Sequence, residues 1–362
     1  MAGLVLLFGS VGICLGLYRF VAFWMVAPQG AVRAVFYEVK KSSSPMGIAH
    51  DLERLGIITN ARMFYWYGRM TGKLNRFKAG DYRFMTNMKP DGVISVIMSG
   101  ISYGYPITIP EGYTLEQIAM VIDRARPGAK QEFLSLCRDF QFISSFVTAG
   151  ILSAAPPTLE GFLFPETYLM TRKTPLSDLI HQMVRKYRSV MSPDRVQLAQ
   201  SLGLTEYQLV TLASIVERET GDPSERPLVA SVFHNRLKKK MRLQSDPTVV
   251  YGLKDYNGNI TKKDLLTRHP YNTYVVPGLP VGPISNPGRE ALLATLSPAK
   301  TEYLYFVSHN NGTHEFTSTY GDHQRAVSKF QLDPRAREGH SWRELDQKHR
   351  EKSSQELPDS NQ

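Results

Sequence analysis

The chain has 362 residues, 42% hydrophobic and 21% charged, which is ordinary for a globular protein and long enough for two or three domains with real cores. Its 43 basic residues outnumber 33 acidic ones, and the formal charge of +10 favours an anionic neighbour: nucleic acid, membrane headgroups or an acidic wall polymer. Nucleic acid is disfavoured, because the basic residues are dispersed and the one dense cluster, LKKKMR at residues 237–242, has no zinc-finger spacing or RNA-binding aromatic motif beside it.

Residues 4–26 are apolar apart from Arg19. As a helix they would span roughly 35 Å at ~1.5 Å per residue, enough to cross a bilayer. Tyr18 and Trp24 suit an interface, and Arg19 is near enough to one end to snorkel. The missing basic n-region and the bulky FVAFWMV argue against a cleaved signal peptide. Residues 1–28 are therefore expected to be a retained single-pass anchor. No Lys or Arg precedes Arg19, whereas Arg33, Lys40 and Lys41 follow, a pattern that would keep the C-terminal side in the cytoplasm. Cys14 lies in this run, so a disulfide with Cys137 is not expected, nor is a cysteine metal site.

Residues 29–125 alternate short strands and helices. AVFYEV alternates as a strand, Ser44-Pro45 opens a helix with Ile48, Leu52 and Leu55 on one face, and Gly56 ends it. Asn60 caps a second helix through Met70, with Phe64, Tyr65, Trp66 and Tyr67 expected to pack inward. AGDYRFM reads as a strand, residues 91–98 as a helix, YGYPITIP as a strand, and Thr114 caps a helix to Arg124.

Residues 132–149 read as one helix, and LSAAPPTLEGFLFPETYLM as a punctuated connection whose Glu160 and Glu166 can anchor loops or face a cleft. Helices follow over residues 175–191 and 193–201. Thr205 with Gln208 forms a capping box, and Leu209, Leu212, Ala213 and Val216 make one apolar face with Glu217 and Glu219 at its edges. Asp222-Pro223 breaks the helix, and a second carries Leu228, Val229, Val232, Phe233 and Leu237. LQSDPTVVYG is a polar loop entering a short β-branched segment. Residues 261–288 are loop-rich, a helix runs to Leu296, and TEYLYFVSH is a strand. His314 and His323 follow without HExxH spacing, so neither a metal nor another cofactor is expected. Residues 334–362 form a polar tail.

ASIVERET, ER at Glu225-Arg226, ASVFHNRL, MRLQSDPTVVYG, YNTY, GLP, ISNPG and EYLYFV occur in this order between about Glu160 and His323. Together they resemble the endolytic murein transglycosylase (YceG-like) family, with a looser match back to the N-terminus. The resemblance implies an α+β protein: a transmembrane helix at 1–28, a small LysM-like βααβ module within 29–125, a mostly helical catalytic domain with a loop-rich cleft over 126–333, and the tail. It implies peptidoglycan glycan strands as substrate and partnership with peptidoglycan synthases. It also implies a catalytic domain outside the bacterial inner membrane, opposite to what the flanking charges favour. It assigns Glu217 as acid/base, a choice over Glu219 that spacing alone does not make. Asn235, Gln244, Ser245, Asp246, Thr248, Tyr251 and Asn286 become candidates for the glycan cleft. Tyr271, Asn272 and Tyr274 add aromatic platforms and an amide suited to hydroxyl and N-acetyl groups.

Cleaving a β-1,4 glycosidic bond requires a proton on the leaving oxygen, which a glutamate delivers near neutral pH if burial raises its pKa. Ordinary glycosidases add a second carboxylate. Asp246 is the candidate for that part, although an Asp-Pro turn explains the same dipeptide. A lytic transglycosylase instead lets the C6 hydroxyl of N-acetylmuramic acid attack its own C1. A muramidase-type hydrolase using Asp246 and water, and a non-enzymatic wall-binding scaffold, are the alternatives.

Overall fold

The computed structural model describes residue 18 and residues 21–24, 31–171, 173–253 and 256–332. The anchor expected over residues 1–28 falls largely outside these residues, and the tail over 334–362 entirely so. Among the described residues no helix is long and apolar enough to cross a membrane. The chain divides into two compact units: residues 1–106 with 169–174, and residues 107–168 with 175–362.

The first unit has the expected strand–helix–helix–strand order: β1 (Ala34–Val39), α1 (Pro45–Arg54), α2 (Ala61–Met70) and β2 (Gly80–Met85), then α3 (Pro90–Ser99). Local chemistry sets the boundaries. Ser44 Oγ accepts the Gly47 N–H (3.1 Å) and Asn60 Oδ1 accepts the Met63 N–H (2.9 Å), each satisfying a donor that a helix start leaves open. β1 runs antiparallel to β2, with Phe36 opposite Arg83 and Val39 opposite Gly80. Ile48, Leu52, Phe64, Tyr82, Phe84, Ile94 and Ile97 form the core, joined by Phe23. The aromatic run of α2 is split: Phe64 is core, Tyr65 and Tyr67 pack partly against it, and Trp66 is 54% exposed.

The second unit is mostly helical. α4 (Leu115–Ala125), α5 (Lys130–Leu136) and α6 (Phe140–Thr148) follow β3 (Tyr105–Thr108). The single helix expected over 132–149 is two helices, because the Asp139 carboxylate accepts the Phe142 N–H (2.6 Å) and caps a new start. Part of the expected connection is a strand, β4 (Thr167–Met170), paired with β3. α7 (Leu176–Val190) and α8 (Pro193–Ser201) lead to α9 (Glu206–Glu219), where the Thr205–Gln208 capping box is present and Leu209, Leu212, Ala213 and Val216 are fully buried. A short 3-10 turn (Pro223–Glu225) follows the break and leads to α10 (Arg226–Lys238).

The β-branched segment after LQS is helix α11 (Asp246–Gly252): Pro247 sits in its first turn, and Thr248 and Val249 are buried in it. Burial overrides the strand preference of these residues. The loop-rich stretch contains a short helix, α12 (Lys262–Leu266), before α13 (Arg289–Leu296). The chain then forms a hairpin of β5 (Tyr305–Ser308) and β6 (His314–Thr317), and α14 (Tyr320–Val327). α9 is the central element and packs against α8, α10, α11 and α13.

Candidate functional site

The last turn of α9 presents Glu217 to two groups brought from further along the chain. Glu217 Oε1 accepts from Arg226 Nη2 (2.9 Å), and Oε2 accepts the backbone N–H of Gly288 (2.9 Å), 71 residues away in sequence. The Pro223 break turns the chain so that Arg226, the first residue of α10, returns to α9. Gly288 caps α13, so Glu217 also meets the positive end of a helix dipole. The loop before α4 adds Glu111, whose Oε2 lies 3.5 Å from the same Arg226 nitrogen.

Burial is the main influence on Glu217 and pushes its pKa up. The Gly288 N–H, Arg226 and Arg218 oppose this, the charge of Glu111 assists it, and the net direction is upward. Arg226 Nε is buried with no hydrogen-bond partner.

Glu219 faces a separate set. Ser245 Oγ donates to its Oε1. Burial holds its pKa at about 7, with Asp246 adding to the rise and Arg236 opposing it. Ser245 is tied down by its N–H to Thr273 Oγ1 (3.0 Å), and Thr248 Oγ1 donates to the Ser245 carbonyl (2.6 Å). Asp246 is exposed and accepts from the Tyr274 hydroxyl (2.6 Å). Gln244 is exposed and has φ +50°, a left-handed conformation that costs a non-glycine residue energy.

A third carboxylate, Glu160, is 4% exposed and serves as an anchor. It accepts from the Leu115 N–H (3.1 Å), the Tyr251 hydroxyl (2.9 Å) and Asn286 Nδ2 (2.9 Å), and burial raises its pKa to about 7. Tyr251 and Tyr271 meet ring to ring at 4.7 Å.

Three candidate cleft amides are instead committed to the fold. Asn235 donates to the carbonyls of Thr301 (2.8 Å) and Tyr303 (3.0 Å). Asn272 donates to the carbonyls of Asp264, Leu265 and Thr267. Asn286, fully buried, accepts the Leu163 N–H (2.9 Å) and also donates to the Tyr113 carbonyl (2.9 Å). Its backbone carbonyl accepts the Gly112 N–H (2.9 Å), so it sets the loop carrying Glu111 as well as the approach to Gly288. Of the expected polar residues, Gln244 and Asp246 remain exposed. None of the expected cleft residues is a hydrogen-bond partner of Glu217 among the described residues. Sequence reasoning missed Glu111 and Gly288 and gave Arg226 no role; the ER dipeptide was the available signal. Among the described residues no group of three or more His, Cys, Asp or Glu is placed to hold a metal ion. A cavity of about 740 Å³ beside Pro156, Val196 and Tyr207 includes none of these residues in its lining.

The model of the YceG-like family matches residues 37–329. An endolytic murein transglycosylase of Bacillus subtilis is 35% identical over 302 residues, covering 81% of this chain and 83% of the relative. One from Streptococcus pneumoniae is 30% identical over 318 residues, covering 80% of this chain and 57% of the relative. A solved YceG-like protein of Listeria monocytogenes is 33% identical, covers 81% of this chain and 98% of its own, and has a TM-score of 0.57.

Proposed function

The chain belongs to the YceG-like family, and from that premise we propose that it is an endolytic murein transglycosylase that cleaves within peptidoglycan glycan strands with Glu217 as general acid and then base. The observation that carries this reading is the environment of Glu217: a carboxyl 6% exposed, its pKa raised by burial, held by Arg226 and the Gly288 N–H. In its protonated form it delivers the proton to the oxygen between N-acetylmuramic acid and N-acetylglucosamine. The C6 hydroxyl of the muramic sugar then attacks C1, and its proton passes to the Glu217 carboxylate, which regains its starting state. Arg226 and Gly288 stabilise the carboxylate between the two transfers. The product ends in a 1,6-anhydro sugar, and no water is consumed.

The apolar run at residues 4–26 supports anchoring in the cytoplasmic membrane. The family resemblance, against the flanking charges, supports a catalytic unit on the outer side, where it would limit strand length as glycan emerges. The βααβ order of the first unit supports a LysM-like, glycan-holding role.

The test is digestion of uncrosslinked glycan strands by the detergent-solubilised chain, with products read by mass. Internal fragments lighter by one water (about 18 Da) than their reducing-end counterparts are expected. Products with ordinary reducing ends would mean hydrolysis by a water, with Asp246 as the exposed carboxylate to examine. Binding without cleavage would favour a scaffold.

A further inference from the structure

Glu111 occupies a turn between β3 and α4 and was not among the residues the sequence singled out. Its Oε2 lies 3.5 Å from Arg226 Nη2, the nitrogen that donates to Glu217 at 2.9 Å, so one nitrogen serves two carboxylates. The side chain of Glu111 is 46% exposed, against 9% for Arg226 and 6% for Glu217, so it is the solvent-facing member of the trio. Its Oε1 stands where a Cβ on residue 288 would be, which leaves room there for glycine alone unless Glu111 moves. The backbone that donates to Glu217 is thus pressed against the Glu111 carboxylate.

An acid catalyst flanked by an undivided guanidinium has a difficulty: the pair favours the carboxylate and strips the proton that catalysis needs. The groups facing Glu217 are Arg226 from α10, Arg218 from its own helix, the Gly288 N–H at the start of α13, and Glu111. All but Glu111 favour the charged form. We propose that Glu111 is a positioning residue that acts through Arg226 on Glu217, dividing the guanidinium between two carboxylates so that the acid is not held as a closed ion pair. The inference rests on Glu217 being the acid. Glu111 itself transfers no proton to the substrate in this scheme.

The test is the pH profile of kcat/KM on glycan strands for the full chain and for Glu111→Gln, Glu111→Asp and Glu217→Gln. Activity requires protonated Glu217, so the alkaline limb falls as pH rises through its pKa. Removing the Glu111 charge gives Arg226 wholly to Glu217, lowers that pKa and moves the limb to lower pH. A shift of about half a unit to one unit is expected for Glu111→Gln, or about 3- to 10-fold less activity on that limb. Glu111→Asp keeps the charge and shifts the limb less. An unmoved limb in Glu111→Gln, with Glu217→Gln inactive, overturns the role of Glu111 and leaves the acid assignment standing. Loss of activity at every pH in both Glu111 variants also overturns it, because Glu111 would then take part in the chemistry directly. Cleavage by Glu217→Gln overturns both readings.

Discussion

At the scale of single residues, the three glutamates whose pKa is pushed up, Glu160, Glu217 and Glu219, do different work because their surroundings differ. Glu217 alone is paired with an arginine and a helix start, and Glu217→Gln is expected to lower the rate of strand cleavage about 10²- to 10⁴-fold while circular dichroism stays unchanged. Glu160 and Glu219 both have pKa values raised from 4.5 to about 7 by burial. The folded state therefore binds more protons than the unfolded state between these values, and the contribution of each group to stability is fullest below about pH 4.5 and is lost as pH rises through 7. Melting temperature should decline across this window, and Glu219→Gln should make the decline shallower, as calorimetry at stepped pH would show. An unchanged slope would mean that Glu219 already carries its charge in the folded protein.

The elements were legible where capping chemistry and periodicity agreed. Thr205 with Gln208 at one end and Asp222-Pro223 beyond the other delimit α9, and the apolar face between them is buried as its spacing requires. Asp139 was a cap hidden between two apolar stretches, and α11 carries the β-branched Thr248, Val249 and Val250, which locally favour extension. Its helical state depends on tertiary burial of Thr248 and Val249, which no local window contains. Thr205→Ala should cost about 1 kcal/mol in denaturant unfolding, since it removes the acceptor for the Gln208 N–H. Gly161→Ala should cost more than that. Its φ is +88°, and a Cβ would stand 2.6 Å from Val210 Cγ1 and 2.7 Å from Pro283 Cβ, driving α9 and the proline loop apart.

At the scale of the whole molecule, the site is assembled from places far apart in the chain. Glu217 was singled out by its motif, whereas Glu111 and Gly288 meet it through a fold that brings a turn before α4 and the start of α13 to the end of α9. Composition and spacing record no such meeting. The asparagines proposed for the cleft show the same dependence on the fold: an amide suited to sugars is equally suited to backbone carbonyls, and at Asn235, Asn272 and Asn286 the side-chain nitrogen donates to the backbone. The proposed anchor rests on the apolar run at residues 4–26. The chain with residues 1–28 should sediment with membranes and resist extraction by high salt, while a chain starting near Val32 should remain in the supernatant; equal behaviour of the two would remove the anchor from the proposal.

The Asn286 bracket also bears on how the protein ages. Asparagine loses its amide when the next backbone nitrogen attacks the side chain to close a five-membered ring. The residue after Asn286 is Pro287, whose ring nitrogen carries no hydrogen to lose. Were the amide at 286 converted to a carboxylate, it would lie against Glu160 Oε1, now 2.9 Å from Nδ2, with no access to solvent. The proline that ends the turn therefore shields the bracket, and the loops beside Glu217, from a slow chemical clock that runs more readily at the exposed Asn311-Gly312 pair.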